Sequence, residues 1–84
     1  MTKEELIFKL KPIVANYAQD NAALENINED TDFIKDLKIN SANLVDVVLD
    51  VEEAFDIQID NTAMERMLDV RAAVEIIELK LAEK

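Results

Sequence analysis

The residue with the clearest chemical potential is Ser41, the only serine of the chain, at the predicted start of a central helix. A hydroxyl in the first turn of a helix lies near unpaired backbone N–H groups and the positive end of the helix dipole, where an attached phosphate would be stabilised. The alternative is that Ser41 only caps the helix, a role that Asn40 could serve equally well. The pattern therefore allows a phosphate ester at Ser41, with helix capping as the structural alternative.

Other site chemistries find little support in the composition. The chain has no histidine, cysteine or glycine, which excludes Ser-His and Cys-His pairs, thiolate metal sites and glycine-rich phosphate loops. Two acid-rich stretches fail as EF-hand calcium loops, because Phe33 in one and Asn61 in the other replace the required glycine. Carboxylate pairs without a pocket are usually solvated faces. We therefore predict neither an enzyme nor a metal site.

The net charge of −10 and the isoelectric point of about 4.2 limit the possible partners. Such a surface repels nucleic-acid phosphates and anionic lipid headgroups and favours basic protein surfaces. No apolar run approaches the roughly 20 residues of a membrane span, and the start MTKEEL does not look like a signal peptide. Half of the 84 residues are hydrophobic, enough for one modest core. We expect a single soluble, cytoplasmic domain over residues 1–84.

The spacing of apolar residues predicts an all-α fold, a small bundle of three main helices and one short helix. Thr2 and Asp69 are the expected caps of the first and last helices, and the short helix spans about 61–67. The predicted buried faces are Leu6, Ile7, Leu10, Ile13, Val14 and Tyr17 in the first helix and Val70, Ala73, Val74, Ile77 and Leu81 in the last.

A long loop is predicted between the first two main helices, over about 20–40, because no helical period persists there. Loops of this length are uncommon in compact domains. We therefore expect four apolar residues to anchor it across the helix ends: Leu24, Ile27, Phe33 and Leu37.

The central helix is predicted over about 41–55. On a helical wheel with 100° per residue it has three kinds of face. A core face is formed by Leu44, Val48, Val51 and Phe55. A second apolar set, here named the apolar stripe, lies off the core side and consists of Ala42, Val45 and Leu49. Four acidic residues border it: Asp46, Asp50, Glu52 and Glu53. An exposed apolar strip rimmed by acids suits transient docking on basic partners; the alternative is that the long loop or a neighbouring helix covers it.

The chain resembles the acyl carrier protein family in several motifs. That family has Asp-Ser-Leu at the start of its second helix, a few residues after Asp-Leu, and the helix ends in Glu-Glu-x-Phe. Here residues 31–37 read TDFIKDL, residues 40–42 read NSA and residues 52–55 read EEAF. Residues 70–74, VRAAV, resemble the start of the family's last helix. The resemblance extends over nearly the whole chain.

This resemblance implies a carrier that is not itself an enzyme. Ser41 would bear a covalent 4′-phosphopantetheine arm, added from coenzyme A by a phosphopantetheinyl transferase, and acyl groups would be held as thioesters on the arm. The implied partners are acyl-loading and ketosynthase-type enzymes of fatty-acid or polyketide synthesis with basic docking surfaces, and the carrier is expected to be a monomer. The apolar stripe and its four acids would be the docking residues.

Three departures from the family pattern indicate a specialised rather than a housekeeping carrier. Asn40 replaces the usual aspartate, Ala42 the usual leucine, and Lys38 stands where glycine is frequent. Two other hypotheses stay open from the sequence: an aminoacyl or peptidyl carrier with the same arm, and an unmodified acidic interaction module in which Ser41 is only a cap.

Overall fold

A computed structural model describes residues 2–84, and the regular structure in that range is helical. The α-helices are α1 (Lys3–Ala15), α2 (Asn21–Glu25), α3 (Leu44–Phe55), α4 (Asn61–Arg66) and α5 (Val70–Ala82), and a 3₁₀ turn (Ser41–Asn43) directly precedes α3. An isolated antiparallel bridge joins Asp32 and Asp69. The predicted all-α fold, with three main helices and the short α4, is confirmed.

Side-chain caps define where the helices begin. Thr2 and Glu5 form a reciprocal capping box at the start of α1, and Asp69 accepts a hydrogen bond from the N–H of Ala72 at 2.8 Å at the start of α5. Both predicted caps are thus confirmed. Pro12 lies inside α1 with its ring exposed, and it does not end the helix.

One hydrophobic core joins α1, α3 and α5. Its fully buried members include Leu6, Leu10, Val14, Val51, Val70, Ala73, Val74 and Ile77. Met67, which directly follows α4, is also buried. The core is wider than predicted, because Val47 and Ile76 are buried as well, whereas Leu44 is only half-buried. For α5 the reason is that the helix contacts both α1 and α4, so that a broader arc of it is covered than a single stripe.

The connection between α1 and α3 contains less irregular structure than predicted. It contains α2, a helix of five residues that begins where the Asp20 carboxylate accepts from the N–H of Ala23 at 3.1 Å. A helix of this length is too short to produce a periodic pattern. The predicted anchoring is confirmed: Phe33 and Leu37 are buried, and Leu24 and Ile27 pack against the core.

Backbone hydrogen bonds also hold this connection, which apolar spacing did not predict. The carbonyl of Leu37 accepts from the N–H of Gln19 at 2.9 Å, which ties the connection to the end of α1. The N–H of Phe33 donates to the carbonyl of Leu68 at 3.1 Å, which ties it to the start of α5. The segment that leads to Ser41 is therefore fixed at two points. Within residues 2–84, no helix is long and apolar enough to cross a membrane.

Candidate functional site

The turn that begins at Ser41 is capped by its neighbour. The side-chain oxygen of Asn40 accepts a hydrogen bond from the N–H of Ala42 at 2.9 Å. Asn40 therefore performs the capping role for which the sequence offered both residues. Ser41 itself is exposed, and its hydroxyl makes no hydrogen bond within residues 2–84. The capping alternative for Ser41 is thus not the arrangement observed.

The expectation of unpaired N–H groups beside Ser41 is wrong for the three residues that follow it. The N–H of Asn43 donates to the carbonyl of Asn40 at 2.8 Å, and the N–H of Leu44 donates to the carbonyl of Ser41. With the N–H of Ala42 held by the Asn40 side chain, the backbone donors of the three residues after Ser41 all have partners. What the helix start still offers a phosphate at Ser41 is the positive end of the dipole of α3.

The chain approaches Ser41 through a left-handed residue. Lys38 has φ of 60°, a region in which a side chain crowds the following carbonyl and glycine is favoured. The adjacent Ile39 is buried, so this backbone reversal directs Ile39 into the core just before Asn40 and Ser41 emerge at the surface.

The apolar stripe lies on the surface of α3. Val45 is 47% exposed and Leu49 is 56% exposed, and Ala42 is also exposed. The alternative in which the long loop or a neighbouring helix covers the stripe does not hold in this structure. The stripe begins next to Ser41 and continues for two turns along the helix, so it offers an apolar contact in a fixed direction from the serine hydroxyl.

The four predicted docking acids fall into two pairs. Asp46 and Glu53 are exposed on α3. Asp50 is half-buried and its Oδ2 accepts a hydrogen bond from the Tyr17 hydroxyl at 2.7 Å. Glu52 is also half-buried, and its Oε2 accepts from the N–H of Ile59 at 2.7 Å. The structure therefore places Asp46 and Glu53 towards solvent and holds Asp50 and Glu52 against neighbouring segments.

None of these four carboxylates has a cationic partner among residues 2–84. The ion pairs of that range lie elsewhere, for example between Arg71 and Asp30 at 2.9 Å and between Lys84 and Asp56 at 3.1 Å. The negative charge beside the apolar stripe is consequently left for other molecules to neutralise. Rim charges of this kind mainly affect how fast a partner associates and how salt changes the rate.

The sequence did not predict a polar contact for Tyr17, because the spacing of this residue assigned it to the core face of the first helix. Its ring does pack against the core, but its hydroxyl reaches Asp50, 33 residues away in sequence. That hydrogen bond, with partial burial and the negative charges of Asp50 and Asp46, raises the pKa of Tyr17 above its ordinary value. A signal was available, since a tyrosine on a buried face usually needs a partner for its hydroxyl.

The described part of the chain holds no cluster of side chains suited to a metal ion. It also leaves no buried side-chain nitrogen or oxygen without a hydrogen-bond partner. The exposed serine at the start of α3, the apolar stripe and the exposed carboxylate of Asp46 are thus neighbours on the surface of the described chain.

Comparison with known proteins identifies the family. Residues 13–77 match the family described as phosphopantetheine attachment site. The acyl carrier protein of Desulforapulum autotrophicum is 36% identical over 72 residues, which cover 86% of this chain and 92% of that protein. The acyl carrier protein of Cyanidium caldarium is 36% identical over 84 residues, covering 100% of this chain and 95% of that protein. For the acyl carrier protein of Prochlorococcus marinus the identity is 36% over 80 residues, with 95% and 98% covered. The chain belongs to the acyl carrier protein family, whose prosthetic group is a covalently attached 4′-phosphopantetheine.

Proposed function

We propose that this protein carries acyl intermediates as thioesters on a 4′-phosphopantetheine arm attached to Ser41, and that it presents them to fatty-acid or polyketide-type synthase enzymes. The observation that supports the attachment site most directly is the division of roles at the start of α3. Asn40 caps the turn, and the Ser41 hydroxyl is exposed and has no other role in the fold.

The surroundings of Ser41 suit a long attached group. Because the hydroxyl faces solvent, an arm extends outwards without displacing the core or breaking a hydrogen bond of the turn. The phosphate of the arm would lie at the start of α3, where the helix dipole favours negative charge. The flanking residue Ala42 is small and exposed, so the approach to the hydroxyl from that side is open.

In this proposal the carrier positions the cargo and does not catalyse its reactions. The arm, when attached, contributes the thiol that this cysteine-free chain lacks. The side chain of Ser41 provides the attachment oxygen, and the fixed segment before it sets the direction in which cargo leaves the surface. Loading, elongation and release belong to the partner enzymes, which fits a role as a carrier and not as an enzyme.

The apolar stripe is proposed as the docking surface for a phosphopantetheinyl transferase and for synthase enzymes. Two of its residues, Val45 and Leu49, expose about half of their side chains directly beside the attachment residue. The carboxylates of Asp46, Asp50, Glu52 and Glu53 lack cationic partners within the described range. Lysine or arginine side chains around the active-site mouth of a partner would complement them.

Three residues close to Ser41 bear on which kind of carrier this protein is. Asn40, Ala42 and Lys38 differ from the residues usual in the family, and on that basis we propose a specialised carrier. We further propose that it acts as a monomer and as a single cytoplasmic domain. Asn40 keeps the capping contact but removes the charge of an aspartate, and Ala42 reduces the apolar contact next to the serine. Both changes favour partner enzymes adapted to this particular surface.

The proposal is tested by intact mass spectrometry after incubation with coenzyme A, magnesium and a broad-range transferase. The expected result is a gain of one phosphopantetheine arm in the wild type and in Thr62→Ala, and no gain in Ser41→Ala. Thr62 is a suitable control because it also lies exposed in the first turn of a helix, α4. A gain that persists in Ser41→Ala, or a modified peptide that maps elsewhere, would contradict the attachment site.

Loading the modified protein then separates the cargo classes. An acyl chain transferred by loading or ketosynthase-type enzymes supports the acyl carrier assignment. Loading with amino acids alone would show an aminoacyl or peptidyl carrier instead. A protein that binds basic partners but accepts no arm from any transferase would be an unmodified interaction module.

A further inference from the structure

The hydrogen bond between Tyr17 and Asp50 joins two parts of the chain that the carrier function does not obviously need to connect. Tyr17 follows the end of α1, and Asp50 lies in the middle of α3, one turn after Asp46. Among the side-chain-to-side-chain hydrogen bonds of residues 2–84, this is the one in which a residue of α3 itself takes part, and it joins α3 to the turn that follows α1. Apolar packing with α1 already positions the helix, so the polar contact has a more local effect.

That local effect is on the Asp50 carboxylate. The Tyr17 hydroxyl donates one hydrogen bond to Oδ2 at 2.7 Å. A carboxylate has two oxygens with about four acceptor sites, so Oδ1 and the remaining sites of Oδ2 stay available. Because Tyr17 is half-buried and packed against the core, its ring holds the carboxylate in one orientation. The exposed Asp46, one turn earlier on α3, has no such partner among the described residues.

An oriented carboxylate is a better docking contact than a free one. A mobile side chain loses rotamer entropy when a partner immobilises it, and a side chain that is already ordered does not. A carboxylate that also accepts from a neutral phenol keeps its full negative charge, so it can still receive an arginine or lysine of a partner.

We propose that Tyr17 is a positioning residue for docking: it orients the Asp50 carboxylate so that this group, on the side of α3 that contacts Tyr17, receives a guanidinium or ammonium group of the modifying enzyme. This inference rests on the proposed function and adds a contact from outside the central helix. The two acids then act in different ways. Asp50 is an ordered contact for the partner, and Asp46 is a mobile charge that speeds the association of the partner.

The test is a double-mutant cycle on the unmodified protein. The dissociation constant for a broad-range phosphopantetheinyl transferase is measured without coenzyme A, at low and at high salt, for the wild type, Tyr17→Phe, Asp50→Asn and the double variant. Tyr17→Phe is expected to weaken binding by about threefold at low salt, within the range of an exposed polar pair, and less at high salt. In the Asp50→Asn background the same change is expected to have no further effect.

A matched control separates positioning from packing. Ile13→Val removes one methylene from the half-buried contact between α1 and the core without touching a polar atom. It is expected to lower the melting temperature while leaving the dissociation constant and its salt dependence unchanged. Circular dichroism of each variant checks that it is folded.

Three results would overturn the inference: no change in affinity for Tyr17→Phe, no change for Asp50→Asn, or an equal loss from Tyr17→Phe in both backgrounds. The proposed function fails on a different observation, namely a wild type that gains no arm at Ser41. A wild type that is modified at Ser41 but binds the transferase as tightly as Tyr17→Phe would leave the carrier function intact and reject only the role of Tyr17.

Discussion

The side-chain oxygen of Asn40 and the backbone nitrogen of Ala42 lie 2.9 Å apart, and their hydrogen bond closes the turn that contains Ser41. Two residues with capping ability stand next to each other here, and only one is used. The consequence is that capping of the turn and the proposed modification involve different side chains, which makes the two effects separable by mutation.

The first prediction concerns this separation. Asn40→Ala should lower the free energy of unfolding by about 1 kcal/mol, because the N–H of Ala42 loses its acceptor. Ser41→Ala should change it by less than about 0.5 kcal/mol, as an exposed side chain without a structural partner. Urea unfolding followed by circular dichroism measures both values. Equal losses for the two variants would mean that Ser41 shares the capping role.

The second prediction concerns the left-handed backbone at Lys38. Lys38→Gly should raise the free energy of unfolding by about 1 kcal/mol, because glycine adopts a φ of 60° without the crowding that a Cβ causes. For a domain of this size, that corresponds to a rise of about 4–8 °C in the melting temperature. Differential scanning calorimetry measures the change.

Lys35→Gly is the matched control for the loss of charge. It removes the same cation from the same segment, and its backbone is outside the left-handed region. We expect no gain from it, and a small loss because glycine adds freedom to the unfolded chain. A gain of the same size in both variants would assign the effect to charge rather than to backbone conformation.

The third prediction uses the only tyrosine of the chain as a probe. The pKa of Tyr17 lies above its ordinary value, first because its hydroxyl donates to Asp50. In an ultraviolet titration, Asp50→Asn should move the pKa of Tyr17 down towards about 10, the value of a free tyrosine. Asp46→Asn should move it less, because Asp46 acts only through its charge.

The sign of the effect on stability follows from this direction. The folded protein holds the phenol proton more tightly than the unfolded chain, so this contribution is fully present below about pH 10 and is lost as pH rises through the folded pKa. Tyr17→Phe should therefore remove part of the fall in stability on the alkaline side. An unaltered alkaline profile in Tyr17→Phe would show that the phenol does not contribute to it.

The fourth prediction tests the apolar stripe with a matched pair of leucines. Leu49 is 56% exposed on α3, and Leu79 is 57% exposed on α5. Leu49→Asp should slow arm transfer by about tenfold or more, because a charge would be forced into the apolar contact with the transferase. Leu79→Asp should leave the rate unchanged. Equal rates for the wild type and a folded Leu49→Asp would exclude the stripe as a docking surface.

The fifth prediction concerns charge at the rim of the stripe. Asp46→Lys should slow arm transfer by about two- to fivefold at low salt, since an exposed pair contributes only modestly and acts mainly on association. The difference should diminish at high salt, where the charges are screened. Glu75→Lys, the same reversal at an exposed position of α5, controls for the change in net charge. Equal slowing by both reversals would indicate a general charge effect.

Much of this protein is determined by local sequence. The capping residues Thr2 and Asp69, the apolar spacing of the main helices and the family motif around Ser41 could all be recognised without a structure. The reason is that capping and helical periodicity depend on residues within a few positions of one another. The strongly acidic charge, and with it the preference for basic partners, is likewise a property of composition alone.

The contacts between distant segments were determined by the tertiary structure. A helical wheel indicates that the apolar stripe points away from the core face, but only the packed chain shows that Val45 and Leu49 lie at the surface. The pairing of Asp50 with Tyr17 joins residues 33 positions apart, and no local pattern specifies such a partner. The choice of Asn40 over Ser41 as the cap is likewise seen only in the folded chain, although the hydrogen bond itself is local. Both residues have the required chemistry, and the backbone path through Lys38 and the buried Ile39 determines which side chain meets the turn and which one faces solvent.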